Sequence, residues 1–193
     1  MPLGALIDEA LPKLASKLTA PAAKVKESVI EFFQARLHHM LVQEGYSADL
    51  VEAALSAGID DLTDALARTK ALAAFKARPD FESLATAFKR VANIIKEPEP
   101  TPVDPKLLEN PAEQALFAAL RDTEGMAVDA LARADYKAVL ESMSQLRSFV
   151  DTFFDSVLVM DKDEAVRRNR LALLTRINGM FSRIADFRKI QTG

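Results

Sequence analysis

The chain has 193 residues, 49% of them hydrophobic and 27% charged, with a net charge of −3 and no Cys. That length allows one or two domains around a real core. The missing Cys excludes disulfides and thiolate metal sites, no apolar run reaches the roughly 20 residues of a membrane span, and the mild acidity is unlike the basic excess of a strong nucleic-acid binder. Residues 1–20 contain Asp8 and Glu9 and lack a long apolar stretch, so they do not read as a signal peptide.

Helical periodicity runs through almost the whole chain. Gly is rare and Ala, Leu, Glu, Lys and Arg recur, which favours helix over sheet. Leu6, Ala10, Leu14 and Leu18 predict a first helix, with Pro12 as a kink or break. A second starts near Pro21. Its stripe is Val25, Val29, Phe32, Phe33, Leu37, Met40 and Leu41, and Gly45 ends it. Ser47 predicts the cap of a short third helix that closes at Gly58. A fourth runs from Asp61 to Pro79, with Leu62, Leu66 and Leu72 inward. Asp80 predicts the start of a fifth over residues 81–96, with Leu84, Phe88, Val91 and Ile95 facing one way.

Five prolines between residues 97 and 111 predict an extended, poorly hydrogen-bonded connection. Asn110, Pro111 and Glu113 then mark a strong helix start. That helix runs to about Ala134. Asp135 caps another, with Tyr136, Val139, Leu140, Met143, Leu146, Val150, Phe153 and Phe154 inward. The last begins near Asp163, with Leu174, Ile177, Phe181 and Ile184 as its seam. The reading is an all-α fold, divided into a helical segment over residues 1–79 and a bundle over residues 80–193.

Little of this sequence suggests catalysis. His38 and His39 are adjacent, so they point about 100° apart on a helix. Asp60, Asp61 and Asp64 sit where helix capping explains them. There is no Gly-rich phosphate loop or nucleophile elbow, and no catalytic or metal residue is assigned. Lys89, Asn93 and Lys96 recur at steps of four and three, opposite Val91 and Ile95, with Arg90 beside them. Such a face can hold phosphates and read a base edge, but it is also the pattern of an ordinary solvated face. Residues 163–193 hold seven cations against three carboxylates, a net of +4. Arg168, Arg170 and Arg188 are among them. Arg170 can pair with Asp151 or Asp155, or it can face RNA. The aromatics between Phe149 and Met160 read as core.

Several blocks in order carry a resemblance. They are Lys89-Arg90-Val91-Ala92-Asn93-Ile94, Glu109-Asn110-Pro111-Ala112-Glu113, Leu146-Arg147, Val150-Asp151 and Phe153-Phe154-Asp155-Ser156-Val157. Arg168-Asn169-Arg170-Leu171, Phe181 and Ile184-Ala185-Asp186-Phe187 complete the set. Upstream stand Phe32-Phe33-Gln34-Ala35-Arg36-Leu37, Glu44-Gly45-Tyr46 and Asp49-Leu50-Val51. Together they resemble the C-terminal region of bacterial glycyl-tRNA synthetase beta subunits. The ending Phe187-Arg188-Lys189 is more basic than that family's usual close.

The resemblance implies a DALR-type anticodon-binding bundle from about residue 80. It also implies an assembly of two alpha and two beta chains in the cytoplasm, with no DNA or membrane partner. The alpha subunit would use ATP and Mg and hold the aminoacylation site, leaving no cofactor on this chain. The family's beta chain is several times longer and carries an HD-like domain upstream, so the resemblance implies a fragment. The expected function is binding of the glycine tRNA anticodon loop by Lys89, Arg90, Asn93 and Lys96, with Arg168, Arg170 and Arg188 second. The competing expectation is a structural, subunit-interaction module with little RNA affinity of its own.

Overall fold

The computed structural model describes residues 2–192. Nine α-helices follow in order among them: α1 Leu3–Lys13, α2 Ala22–Gln43, α3 Ala48–Leu55, α4 Leu62–Lys76, α5 Phe81–Ile94, α6 Pro111–Ala132, α7 Tyr136–Ser144, α8 Arg147–Ser156 and α9 Glu164–Ser182. Three 3-10 turns lie at Ala15–Lys17, Pro105–Leu107 and Phe187–Lys189. The described residues contain no strand, so the all-α class is the observed one.

Local chemistry sets several helix ends. Asp61 accepts the Thr63 and Asp64 N–H groups at 2.8 and 3.0 Å, capping α4. Asn110 and Glu113 close a reciprocal capping box on α6. Asp135 and Asp163 cap α7 and α9. Gly45 and Gly58 end α2 and α3 with φ of +99° and +114°, the left-handed region that favours glycine. Ser47 and Asp80 occupy cap positions, but neither side chain caps its own helix. Asp80 instead takes two hydrogen bonds from Arg78.

Two cores organise these helices. The smaller joins Leu3 and Ile7 of α1, Leu37 and Leu41 of α2, Val51 and Leu55 of α3, and Ala65 of α4. The larger draws on every helix from α3 to α9 and on the Phe187–Lys189 turn, and it includes Leu50, Leu72 and Phe75 from upstream of residue 80. Its centre is aromatic: Phe88 packs on Phe181 at 4.0 Å and on Phe187 at 5.2 Å between ring centroids.

Several local expectations are corrected. Helix α1 buries Leu3 and Ile7, whereas Leu6 and Leu14 are exposed. Phe32 and Met40 of α2 and Leu62 of α4 also face outward. The stretch from Asp135 to Ser156 is two helices. Gln145 and Leu146 donate three residues back, at 3.2 and 3.0 Å, and the tightened turn lets α7 pack on α4 while α8 packs on α5. The connection expected to be poorly hydrogen-bonded, residues 97–110, is instead tied to α9 by hydrogen bonds. Thr175 Oγ1 accepts the Glu99 N–H at 3.1 Å, and Asn169 exchanges two hydrogen bonds with the Asp104 backbone at 2.7 and 3.0 Å.

Buried polar groups tie the first helices to the rest. Arg68 donates to the carbonyls of Ala54, Gly58 and Ile184 and to the Asp64 carboxylate. The Tyr136 hydroxyl donates to that same Asp64. Burial, and then this bond to a carboxylate, push the Tyr136 hydroxyl up to about 12. Asp49 accepts from Lys76 Nζ at 2.9 Å and from the Gln191 N–H at 2.8 Å, strapping the C-terminal tail to α3.

Burial pushes the Asp49 carboxyl up, but hydrogen bonds from Ser47, Lys76 and Gln191 outweigh it and hold the group well below the usual carboxylate range. A depressed folded value stabilises the fold above the ordinary carboxylate value, about 4, and that contribution is lost as pH falls further. Asp49→Asn is therefore expected to lower stability by about 1–3 kcal/mol at neutral pH. The gap to the unmodified chain should narrow below about pH 4. Urea unfolding midpoints at pH 7 and pH 3 check both the size and the sign.

Candidate nucleic-acid interface

Helix α5 carries three of the predicted residues, Lys89, Arg90 and Asn93. Phe81, Leu84, Ala85, Phe88, Val91 and Ala92 bury one face, which packs on α8, α9 and the Phe187–Lys189 turn. The opposite face is left to Glu82, Thr86, Arg90 and Asn93, all exposed. Lys89 is half-buried at the edge, and its Nζ donates to Thr192 Oγ1 at 2.9 Å. The Arg90 guanidinium lies 4.5 Å from the centroid of the Phe154 ring and 4.0 Å from the Asp155 carboxylate.

The three-residue stripe is shorter than expected. Helix α5 ends at Ile94, Ile95 is extended, and Lys96 lies beyond the helix. Pro98 accounts for this, because a proline cannot donate to a continuing helix and disfavours helical backbone before it. Lys89 and Asn93 share a helix face; Lys96 follows on the departing chain.

The second group divides further. Arg168 is exposed but reaches Glu99 at 3.3 Å and Thr101 at 3.5 Å, so it clips the proline-rich segment. Arg188 is not on the last helix, which stops at Ser182; it sits in the 3-10 turn and holds Asp186 through two bonds of 2.9 Å. The Arg188 guanidinium holds the Asp186 carboxyl below its ordinary range. Arg170 is removed from the RNA-facing set. It is only 7% exposed. Its guanidinium meets Glu113, the Leu158 carbonyl at 2.9 Å and Asp161 at 2.7 Å, rather than Asp151 or Asp155. The other six border α5, the segment leaving it, or the turn packed against it.

Other candidates take structural positions. His38 is half-buried and His39 exposed on α2. Asp60 accepts the Gly4 N–H at 2.6 Å at the start of α1, Asp61 caps α4, and Asp64 holds Arg68 and Tyr136. Between Phe149 and Met160, Val150, Phe153, Val157 and Val159 are buried as expected, but Phe149, Leu158 and Met160 are exposed. Phe154 is half-buried beneath Arg90. Its apolar spacing placed it in the core, and no local signal pairs it with a residue so distant in sequence. No helix of the described residues is long and apolar enough to cross a membrane.

Comparison with known proteins points in one direction. Residues 84–191 match the family described as DALR anticodon binding domain. The chain is 48% identical over 188 residues to the glycine–tRNA ligase beta subunit of Trichlorobacter lovleyi, covering 97% of this chain and 27% of that subunit. It is 49% identical over 193 residues to the corresponding subunit of Anaeromyxobacter dehalogenans, and 48% identical over 184 residues to that of Geobacter metallireducens. These cover 98% and 95% of this chain, and 27% of each relative. The chain thus spans about a quarter of the length of the relatives it matches.

Proposed function

The chain belongs to the DALR anticodon-binding domain family, and from that premise we propose that it takes up the anticodon loop of a glycine tRNA. The observation that carries the reading is the family match across α5 to α9, joined to the names of the relatives. Loop bases suit such a surface, since they can be splayed out and bonded at their edges. Asn93 on the exposed face of α5 is the residue proposed to meet a base edge. Lys89 and Lys96, which have no carboxylate partner among the described residues, are proposed to hold phosphates. Arg168 and Arg188 contribute less, because Glu99 and Asp186 already neutralise them.

Within this proposal the chain serves a larger cytoplasmic ligase. An alpha subunit, in an assembly of two alpha and two beta chains, attaches glycine with ATP and Mg. This chain is assigned the tRNA and no catalytic group or cofactor. A second reading draws on α1 and α2. Phe32 is 64% exposed, and Leu6, Leu14 and Met40 are exposed too. Those side chains suit protein contact, so this end is proposed as the subunit-facing part.

The test is a titration of the 193-residue chain with a glycine tRNA anticodon stem-loop at two salt concentrations. Binding should weaken as salt rises, because displaced counterions return to the phosphates. Asn93→Ala should weaken it about five- to tenfold without changing the salt slope, while Lys96→Ala should lower the slope by about one. No affinity at low salt leaves only the interaction reading.

A further inference from the structure

We propose that Arg90 and Phe154 form a stacking platform for one unpaired nucleobase, resting on the anticodon-loop reading above and assigning it a specific subsite. Arg90 lies over the Phe154 ring at 4.5 Å, so one face of its planar guanidinium is covered and pre-oriented. The side chain is still 49% exposed, which leaves the other face open. Guanidinium planes and aromatic rings are the surfaces on which unpaired bases stack. The ring is itself fixed, edge-on against buried Phe153 at 5.5 Å. Little besides the ring holds the guanidinium, since its pair with Asp155 is long at 4.0 Å and both partners are exposed.

Charge selects a base over a phosphate at this point. Asp155 stands on α8 beside the platform, 4.0 Å from the Arg90 guanidinium, and its carboxylate repels a phosphate. A neutral base carries no such penalty. Asn93 follows Arg90 by three residues on the exposed face of α5, close enough to meet the edge of a base stacked on the guanidinium. Lys89 lies next to Arg90 at the edge of that face, toward the C-terminal tail, where a backbone phosphate can pass.

Two conservative variants test the platform. Arg90→Lys keeps the charge and removes the plane; Phe154→Leu keeps apolar volume and removes the ring. The probe is a glycine tRNA anticodon stem-loop with 2-aminopurine at each loop position in turn. Each variant is expected to bind about tenfold more weakly. Its salt slope should stay that of the unmodified chain, and the fluorescence quenching at one loop position should be lost. Circular dichroism confirms that both variants keep their helices. If the unmodified chain binds and both variants bind as tightly with the same quenching, the platform is overturned and the anticodon reading stands. If the unmodified chain binds no stem-loop at low salt, the anticodon reading fails and the platform fails with it.

Discussion

Arg170→Met is expected to destabilise the fold by about 3–5 kcal/mol, because it removes one partner from a buried ion pair. Glu113 is fully buried, and its carboxylate faces two ways. One oxygen accepts from Arg170, and the other accepts the Asn110 N–H at 2.8 Å in the capping box. Arg170 in turn holds the Leu158 carbonyl and Asp161. The pair therefore joins α6, α9 and the loop before α9. Methionine fills a similar volume but leaves a desolvated carboxylate without its cation. For a chain of this length the loss corresponds to a fall in Tm of about 6–20 °C. The double variant Arg170→Met with Glu113→Gln should recover much of it, since the uncompensated charge is gone and Gln retains an oxygen for the Asn110 N–H. Thermal unfolding of both variants makes the comparison. A single variant as stable as the parent would show that the pair is not buried as described.

The second large effect is expected from Phe88→Ala. Phe88 is fully buried between Phe181 of α9 and Phe187 of the last turn. Truncation removes the ring and leaves a cavity that three elements cannot easily close, at a cost of about 3–5 kcal/mol. It should also act on function. Phe88 lies on the buried side of the helix that carries Lys89, Arg90 and Asn93. A shifted α5 would separate Arg90 from Phe154, so stem-loop binding should fall even below the unfolding temperature. Phe88→Leu, which retains most of the volume, should lose less of both. Urea midpoints and stem-loop affinity measured together distinguish this from simple unfolding.

Where a property depends on neighbours within a few residues, the sequence was mostly enough, although Ser47 and Asp80 stand at cap positions without capping. The caps at Asp61, Asn110, Asp135 and Asp163 are read from a side chain and the next two or three N–H groups. The all-α class follows from period and composition. The faces of α1 and α2 were harder, because apolar residues circle these helices and period alone does not say which side meets a core. Leu6 fits a helical stripe as well as Ile7 does, yet only Ile7 is buried.

Seven basic or amide side chains were candidates in sequence, four first and three second, and the fold separated them by the partners it gave each. Arg170 was matched to a carboxylate 57 residues away and buried. Arg168 and Arg188 were turned onto Glu99 and Asp186. Arg90 was laid over a ring on another helix. The sequence by itself determined that the chain is helical, where most helices begin, and which ordered blocks resemble a tRNA ligase subunit, because those signals are local or linear. Only the tertiary structure decided which cations remain open to a ligand. Arg90, Arg168 and Arg170 are set by partners that packing brings from elsewhere in the chain, whereas Arg188 is set by Asp186, two residues away.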